Sequence, residues 1–250
     1  MEFDLGGRTA FVTGATSGLG RRFARVLAEA GADVAIAGRR AERLADLKSE
    51  IEGLGRKCAA VPLDVTDVSA IPHAFDAAEA ALGPVHVLVN NAGMSRDGMA
   101  VDVTPADFDA VMGTNLRAPF FMASEAARRM IARKEGGRII NIASIGAFRV
   151  LPGLAAYCMS KAGLAMMTQC LAREWARYDI NVNAICPGYI ETEINSDWFR
   201  SEGGQKQIRS FPKRRLAQEA DLDGVLLLLA SDASRAITGS LMTVDDAQSL

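Results

Sequence analysis

TGATSGLG, residues 13–20, decides how this chain folds. It follows a short apolar run, TAFVT at 9–13, and leads into an amphipathic stretch of helical period. Glycine can take the left-handed backbone a tight turn needs, and it leaves room where another backbone or a ligand must come close. Gly14 suits the turn, Gly18 the approach of a phosphate, and Gly20 the packing of a helix against the preceding strand. Amides at the start of such a helix face a pyrophosphate, and the helix dipole favours its charge. Strand, glycine loop and helix in that order point to a dinucleotide site. The ordinary fingerprint places glycines at positions 1, 3 and 6; here they stand at 1, 5 and 7.

Outward from the loop, apolar runs alternate with Ala-, Arg- and Glu-rich stretches of helical period. Strands are read at about 9–13, 33–37, 58–63, 85–90, 138–143, 181–186 and 240–244, and helices at about 19–30, 41–54, 67–82, 105–134, 155–178 and 218–231. Thr104, Pro105 and Asp107 form an N-terminal helix signal. Continuously apolar strands, each followed by a helix, imply a parallel sheet covered on both faces. The expectation is one α/β domain over 1–250, a doubly wound, seven-stranded Rossmann-like sheet. The irregular stretch at about 187–217, which holds Trp198, Phe199 and Gly203-Gly204, is expected to be a substrate lid.

Composition narrows the classes. The 250 residues are 49% hydrophobic and 23% charged with net charge -2, which suits a globular protein with a large core and gives no reason to expect a nucleic acid or an anionic membrane as partner. The run KRR at 213–215 reads as a solvated loop. Cys58, Cys158, Cys170 and Cys186 are scattered, and His73 and His86 complete no metal-ligand pattern, so no metal is expected. VLLLLA at 225–230 is too short to span a bilayer. MEFDLGGRTA lacks an apolar signal core, and the expected location is the cytoplasm.

The chemistry is suggested by AYCMSK, residues 156–161. Tyr157 and Lys161 are four apart, hence neighbours on a helix face. A cation within several Å favours a phenolate and lowers a tyrosine pKa, so that the phenol exchanges protons nearer working pH. Ser144 falls near the C-terminal end of a strand, where ligands gather in open α/β sheets. Its hydroxyl is placed to bond the same oxygen. An isolated Tyr–Lys pair is commonplace; the glycine loop upstream gives this one its weight.

Taken together, TGATSGLG, NNAG at 90–93, Asn115 in TNL, Ser144 in IASIG, Tyr157-x-x-x-Lys161, Pro187-Gly188 and Thr192 resemble the short-chain dehydrogenase/reductase family, in family order. The resemblance implies that Tyr157 is the acid/base, that Lys161 also holds the nicotinamide ribose, that Ser144 polarises the substrate and that Asn115 supports a water in a proton relay. It carries cofactor binding onto Gly14, Thr16, Ser17, Gly18, Leu19 and Gly20, onto Asp64 and Val65, onto Asn91, Ala92 and Gly93, and onto Pro187, Gly188, Ile190 and Thr192. Such an enzyme moves a hydride between nicotinamide and a carbonyl or secondary alcohol. The second strand ends at Gly38, with no carboxylate to take a ribose hydroxyl, and Arg39 and Arg40 follow with guanidinium forks suited to a 2′-phosphate. The expected cofactor is therefore NADP(H) rather than NAD(H), with Arg39 on the phosphate, although the position where family members often carry a basic residue is Ser17.

Substrate walls are expected among Met94, Ser95, Arg96, Ile145, Phe148, Tyr189, Trp198 and Phe199, with Phe148, Tyr189 and Trp198 preferred. NNAGMSRD is similar to a stretch of 3-oxoacyl-thioester reductases, which keeps that activity as an alternative, and a non-catalytic NADP(H) sensor is the other. A sugar-nucleotide epimerase shares the Tyr–Lys pair but not the glycine spacing. The resemblance also implies a homotetramer, formed through Pro119-Phe120-Phe121-Met122 and Leu164, Met166, Met167 and Leu171. The family often ends its last strand in VDGG, where this chain reads VDDAQSL at 244–250.

Overall fold

The computed structural model describes residues 3–191 and 196–250. Its strands are β1 (Thr9–Thr13), β2 (Asp33–Gly38), β3 (Cys58–Pro62), β4 (Val85–Asn90), β5 (Gly137–Ile142), β6 (Ile180–Pro187) and β7 (Leu241–Val244). They form one sheet in the order β3-β2-β1-β4-β5-β6-β7, every pairing parallel. The helices are α1 (Gly18–Glu29), α2 (Ala41–Gly53), α3 (Ile71–Leu82), α4 (Pro105–Met112), α5 (Ala118–Arg133), α6 (Ala155–Trp175), α7 (Ser196–Arg200), α8 (Glu202–Ser210) and α9 (Asp223–Ala230).

Successive strand residues point to opposite faces, so the sheet divides the core in two. Phe11, Ile139, Val182 and Ala184 belong to one cluster with Phe75 and Met122; Ala10, Val12, Ile140 and Ile185 belong to the other with Phe23, Leu27 and Leu226. Phe11 and Phe75 touch with ring centroids 4.9 Å apart. Both faces are thus dry, which is why the strands read as unbroken apolar runs.

All seven strands fall where the sequence places them. Three helical readings need correction. The helix expected over 67–82 starts at Ile71, because Asp67 turns back to accept bonds from the Ser69 amide and hydroxyl. The continuous helix expected over 105–134 is broken by a π-helical turn, Gly113–Arg117, between α4 and α5. Its Thr104 start is as expected: the hydroxyl accepts from the Asp107 amide at 3.1 Å and donates to the Asp107 carboxylate at 2.7 Å. The stretch expected to be irregular contains α7 and α8, and Gly204 is forced by their junction, since a Cβ there would lie 2.1 Å from the Trp198 carbonyl oxygen.

The strand order reverses between β1 and β4, and in doubly wound sheets the ligand cleft lies beyond the C-terminal ends of the strands at that switch point.

Candidate active site

The glycine loop closes one side of that cleft. Gly14 and Gly18 have φ of 66° and 51°, in the region that favours glycine. A Cβ on Gly14 would lie 2.8 Å from Ala92 Cα, and one on Gly20 would lie 2.3 Å from the Gly14 oxygen. Beside Gly18 the nearest atom would be Glu219 Oε1 at 3.8 Å, so this glycine keeps its surroundings open. β4 locks the loop: Asn91 Nδ2 donates to the Thr13 and Gly14 carbonyls at 3.0 and 3.3 Å, and the Asn91 and Ala92 amides donate to Thr13 Oγ1.

Gly38 has a steric reason as well as an electrostatic one. A Cβ there would lie 2.6 Å from Thr16 Cγ2, so a side chain at this position requires Thr16, which Arg40 holds, to turn aside. Arg40 swings onto that loop and donates to Thr16 Oγ1 at 2.8 and 3.1 Å and to Ser17 Oγ at 2.6 Å. A cation therefore does stand at Ser17, delivered from β2's end rather than from the loop's own sequence. Arg39 extends to solvent with its Nη1 3.9 Å from Asp64 Oδ2. Asp64 accepts from the Thr66 hydroxyl and amide, bonds that hold its carboxyl below its usual range.

Opposite the loop stand the residues expected to handle protons. Ser144 stands two residues past β5, and its Oγ accepts the Gly146 amide at 3.0 Å; a Cβ on Gly146 would lie 3.4 Å from that Oγ and 3.3 Å from Tyr157 Cε1, so the serine faces the tyrosine. One turn further along α6, Lys161 Nζ donates to the Ile142 carbonyl at 2.7 Å and lies 5.6 Å from the Tyr157 ring centre. Burial lowers the Lys161 pKa to about 8. Burial also pushes the Tyr157 phenol up, the Ser144 bond opposing it. Burial is the largest influence on the phenol and runs against the lowering expected from Lys161.

Asn115 sits on the π-helical turn, fully buried. Its Oδ1 accepts the Met94 amide at 2.9 Å, and its Nδ2 donates to the Met94 carbonyl at 2.8 Å and to Ser160 Oγ at 3.0 Å. Ser160 in turn donates to the Tyr157 carbonyl at 2.7 Å. The asparagine side chain is therefore a brace between the segment that follows β4 and α6. π-turns inside α-helices recur at functional sites. A Cβ on Gly93 would reach Asn115 Oδ1 at 3.5 Å and Lys161 Nζ at 3.6 Å, so Gly93 lies between the two.

Of the remaining expected residues, Pro187 ends β6, Gly188 donates to the Val244 carbonyl at 3.0 Å, and Ile190 bridges to Ala217. Thr192 lies outside the described residues. Leu19 packs against the core and Val65 is buried within it. Tyr189 stacks on Phe211 at 5.3 Å and meets Phe199 edge-on at 5.9 Å. Gln207 bonds both the Tyr189 side chain and, at 2.8 Å, Trp198 Nε1. Phe148 and Trp198 are each 54% exposed on the rim. Arg96 stands 3.4 Å from Asp107, an exposed ion pair. Sequence reading missed Ser160 and Gln207, which carry no motif, and Arg40's reach to Ser17, which only the fold brings about.

This sheet, with a glycine loop at its switch point and a set of buried Ser144, half-buried Tyr157 and buried Lys161 on the same side of it, defines a dinucleotide-dependent oxidoreductase class. A family model described as short chain dehydrogenase matches residues 8–203, and the chain belongs to that family. It is 37% identical over 244 residues to a 2-dehydro-3-deoxy-D-gluconate 5-dehydrogenase of Escherichia coli K12, covering 97% of this chain and 96% of that one. A putative short-chain alcohol dehydrogenase from Sinorhizobium meliloti superposes with a TM-score of 0.94 at 40% identity, over 99% of this chain and 98% of that one. A gluconate 5-dehydrogenase from Burkholderia cenocepacia, solved with NADP and tartrate, does so with 0.94 at 36%, over 99% and 97%. Among the described residues no cluster could hold a metal ion, and no helix is long and apolar enough to cross a membrane.

Proposed function

We propose that the chain is an NADP(H)-dependent oxidoreductase that interconverts a carbonyl and a secondary alcohol, with Tyr157 as acid/base. One observation carries the reading: Tyr157 and Ser144 meet over Gly146, and the buried ammonium of Lys161 lies 5.6 Å from the Tyr157 ring centre, at the C-terminal side of the sheet. A dinucleotide fits the opposite side. The Gly18 amide region is open, Gly93 leaves a Cβ-sized space between Asn115 and Lys161, and Arg39 and Arg40 flank a strand end that carries no carboxylate. When bound, the reduced cofactor would supply a hydride to the carbonyl and the oxidised cofactor would accept one from the alcohol. Tyr157 then gives its proton to the substrate oxygen in reduction or takes the alcohol's proton in oxidation, and burial keeps the phenol in its proton-bearing form. Ser144 donates to the same substrate oxygen. Lys161, charged below about pH 8, stabilises negative charge developing on the phenol.

The names of the relatives make a sugar acid or its keto derivative the first substrate class to try, ahead of a 3-oxoacyl thioester. The segment 187–217 serves as the substrate-side lid. Phe120, Phe121 and Met166, exposed by 42%, 40% and 61%, border a groove of ≈ 1570 Å³ along α4, α5 and α6 and form the face on which copies of the chain pair. Pro119, Met122, Leu164, Met167 and Leu171 instead pack into their own core.

The test is kcat/KM for NADPH and NADH with gluconates, keto-gluconates and simple ketones. NADPH preference is expected, and Arg39→Asp should move it toward NADH by about tenfold or more, the scale of one lost charge-assisted bond. Equal use of both cofactors by the wild type sinks the NADP assignment. Cofactor binding without turnover on any compound favours the sensor.

A further inference from the structure

The turn after β7 is where this chain leaves the VDGG pattern. Asp246 and Ala247 stand in the glycine positions and still adopt left-handed backbone, with φ of 52° and 64°. Residues bearing a Cβ enter that region only against a steric penalty, so something must hold them there. Asp246 is held by charge. Lys213 Nζ donates to its Oδ1 at 2.6 Å, and Arg215 Nη2 stands 2.6 Å from its Oδ2, on a carboxylate only 13% exposed. Oδ2 makes no aligned hydrogen bond, so its partner there acts as a charge.

Two residues on, Gln248 makes the complementary contacts. Its Oε1 accepts the Tyr189 amide at 2.6 Å, and its Nε2 donates to the Arg215 carbonyl at 3.4 Å. The fit at Gly188 is close: a Cβ there would lie 2.3 Å from Gln248 Oε1 and 2.7 Å from Asp245 Cβ. A single four-residue turn thus grips both ends of the segment that borders the cleft, the outgoing end at 188–189 and the returning end at 213–215. The run KRR, which sequence alone reads as solvated, supplies two of the grips.

We infer that Asp246 is a positioning residue: by clasping Lys213 and Arg215 it fixes the returning end of segment 188–217, and with it Tyr189 at the cleft wall beside Tyr157. The kinetic part of this inference rests on the proposed carbonyl–alcohol activity; the structural part does not.

Asp246→Asn tests it, because asparagine tolerates left-handed backbone and removes only the charge. Hydrogen exchange at the amides of 199–217 should quicken about tenfold, as loss of a charged contact loosens a local unit. With a carbonyl substrate, KM should rise about fivefold while kcat stays within about twofold, the pattern of lost ground-state positioning. Asp246→Gly should loosen the segment equally, although it frees the backbone. In a Lys213→Ala, Arg215→Ala background, Asp246→Asn should add nothing further. Unchanged exchange in Asp246→Asn overturns the clasp, as does wild-type behaviour of Asp246→Gly or a full additional effect in the double background. If no carbonyl is turned over, the proposed activity fails while the exchange data still decide the clasp.

Discussion

The two walls of the cleft are built by opposite means. On the nucleotide side, position is enforced by what cannot fit: side chains at Gly14, Gly20 and Gly38 would bring a Cβ within 2.8, 2.3 and 2.6 Å of Ala92, Gly14 and Thr16 respectively. On the substrate side, position is enforced by what is added. Tyr189 is set by the rings of Phe199 and Phe211, by the amide group of Gln248 and by the turn that carries Asp246. A wall made by exclusion is rigid and tolerates few sequences. A wall made by side-chain contacts can be remade for a new substrate without disturbing the first, which is how one fold comes to serve many substrates.

The largest expected effect lies between the walls and belongs to neither. Tyr157→Phe keeps the ring and removes the transferable proton, so kcat should fall by roughly 10²–10⁴ with NADPH affinity unchanged, read by stopped-flow turnover and fluorescence titration. Retention of more than about a tenth of kcat would remove Tyr157 from the acid/base role.

The nucleotide wall comes next. Gly20→Ala forces a Cβ against the Gly14 oxygen and Asn91 Nδ2, an overpacking expected to cost about 1–3 kcal/mol in denaturant unfolding. Loss of cofactor affinity should accompany it. A variant as stable as wild type would show that this wall yields, and the contrast with its opposite would collapse.

The smallest effect is expected on the substrate wall. Gln248→Ala removes the acceptor for the Tyr189 amide and the bond to Arg215, two neutral contacts that contribute about 0.5–1.5 kcal/mol each. KM should rise by a few fold, about what such an energy implies, with global stability lowered by no more than about 2 kcal/mol and cofactor affinity untouched. A cofactor affinity that fell in step with KM would mean the walls are coupled.

The same contrast explains what could be read before the structure. Strands buried on both faces leave unbroken apolar runs, and excluded side chains leave glycines, so the sheet and the nucleotide loop were both legible. Tyr157, Lys161 and Ser144 were legible as a spacing on one helix and at one strand end. The π-helical turn at 113–117 was not, since its cause is long-range: Asn115 is fastened to Met94 and Ser160, and local propensity over 105–134 is plainly helical. α7 and α8 escaped because Gly203-Gly204 argues against a helix, whereas Gly204 is what lets the two abut. Arg40's place on Ser17 needed two strands brought side by side.

The strand order also dictates when each wall can form during synthesis. The glycine loop waits for β4, whose Asn91 and Ala92 fasten it, and β1 cannot pair on that edge any earlier. Once residue 93 has left the ribosome, every grip on the loop from Thr13, Asn91 and Ala92 exists in the emerged chain. The Tyr189 wall must wait for Asp246 and Gln248, after β5, β6 and β7 have been laid down in turn. Parallel pairings of such sequence separation form slowly. The contacts that fasten the glycine loop can thus exist before the substrate side has been synthesised, and a chain that stops before residue 245 lacks the contacts that set Tyr189.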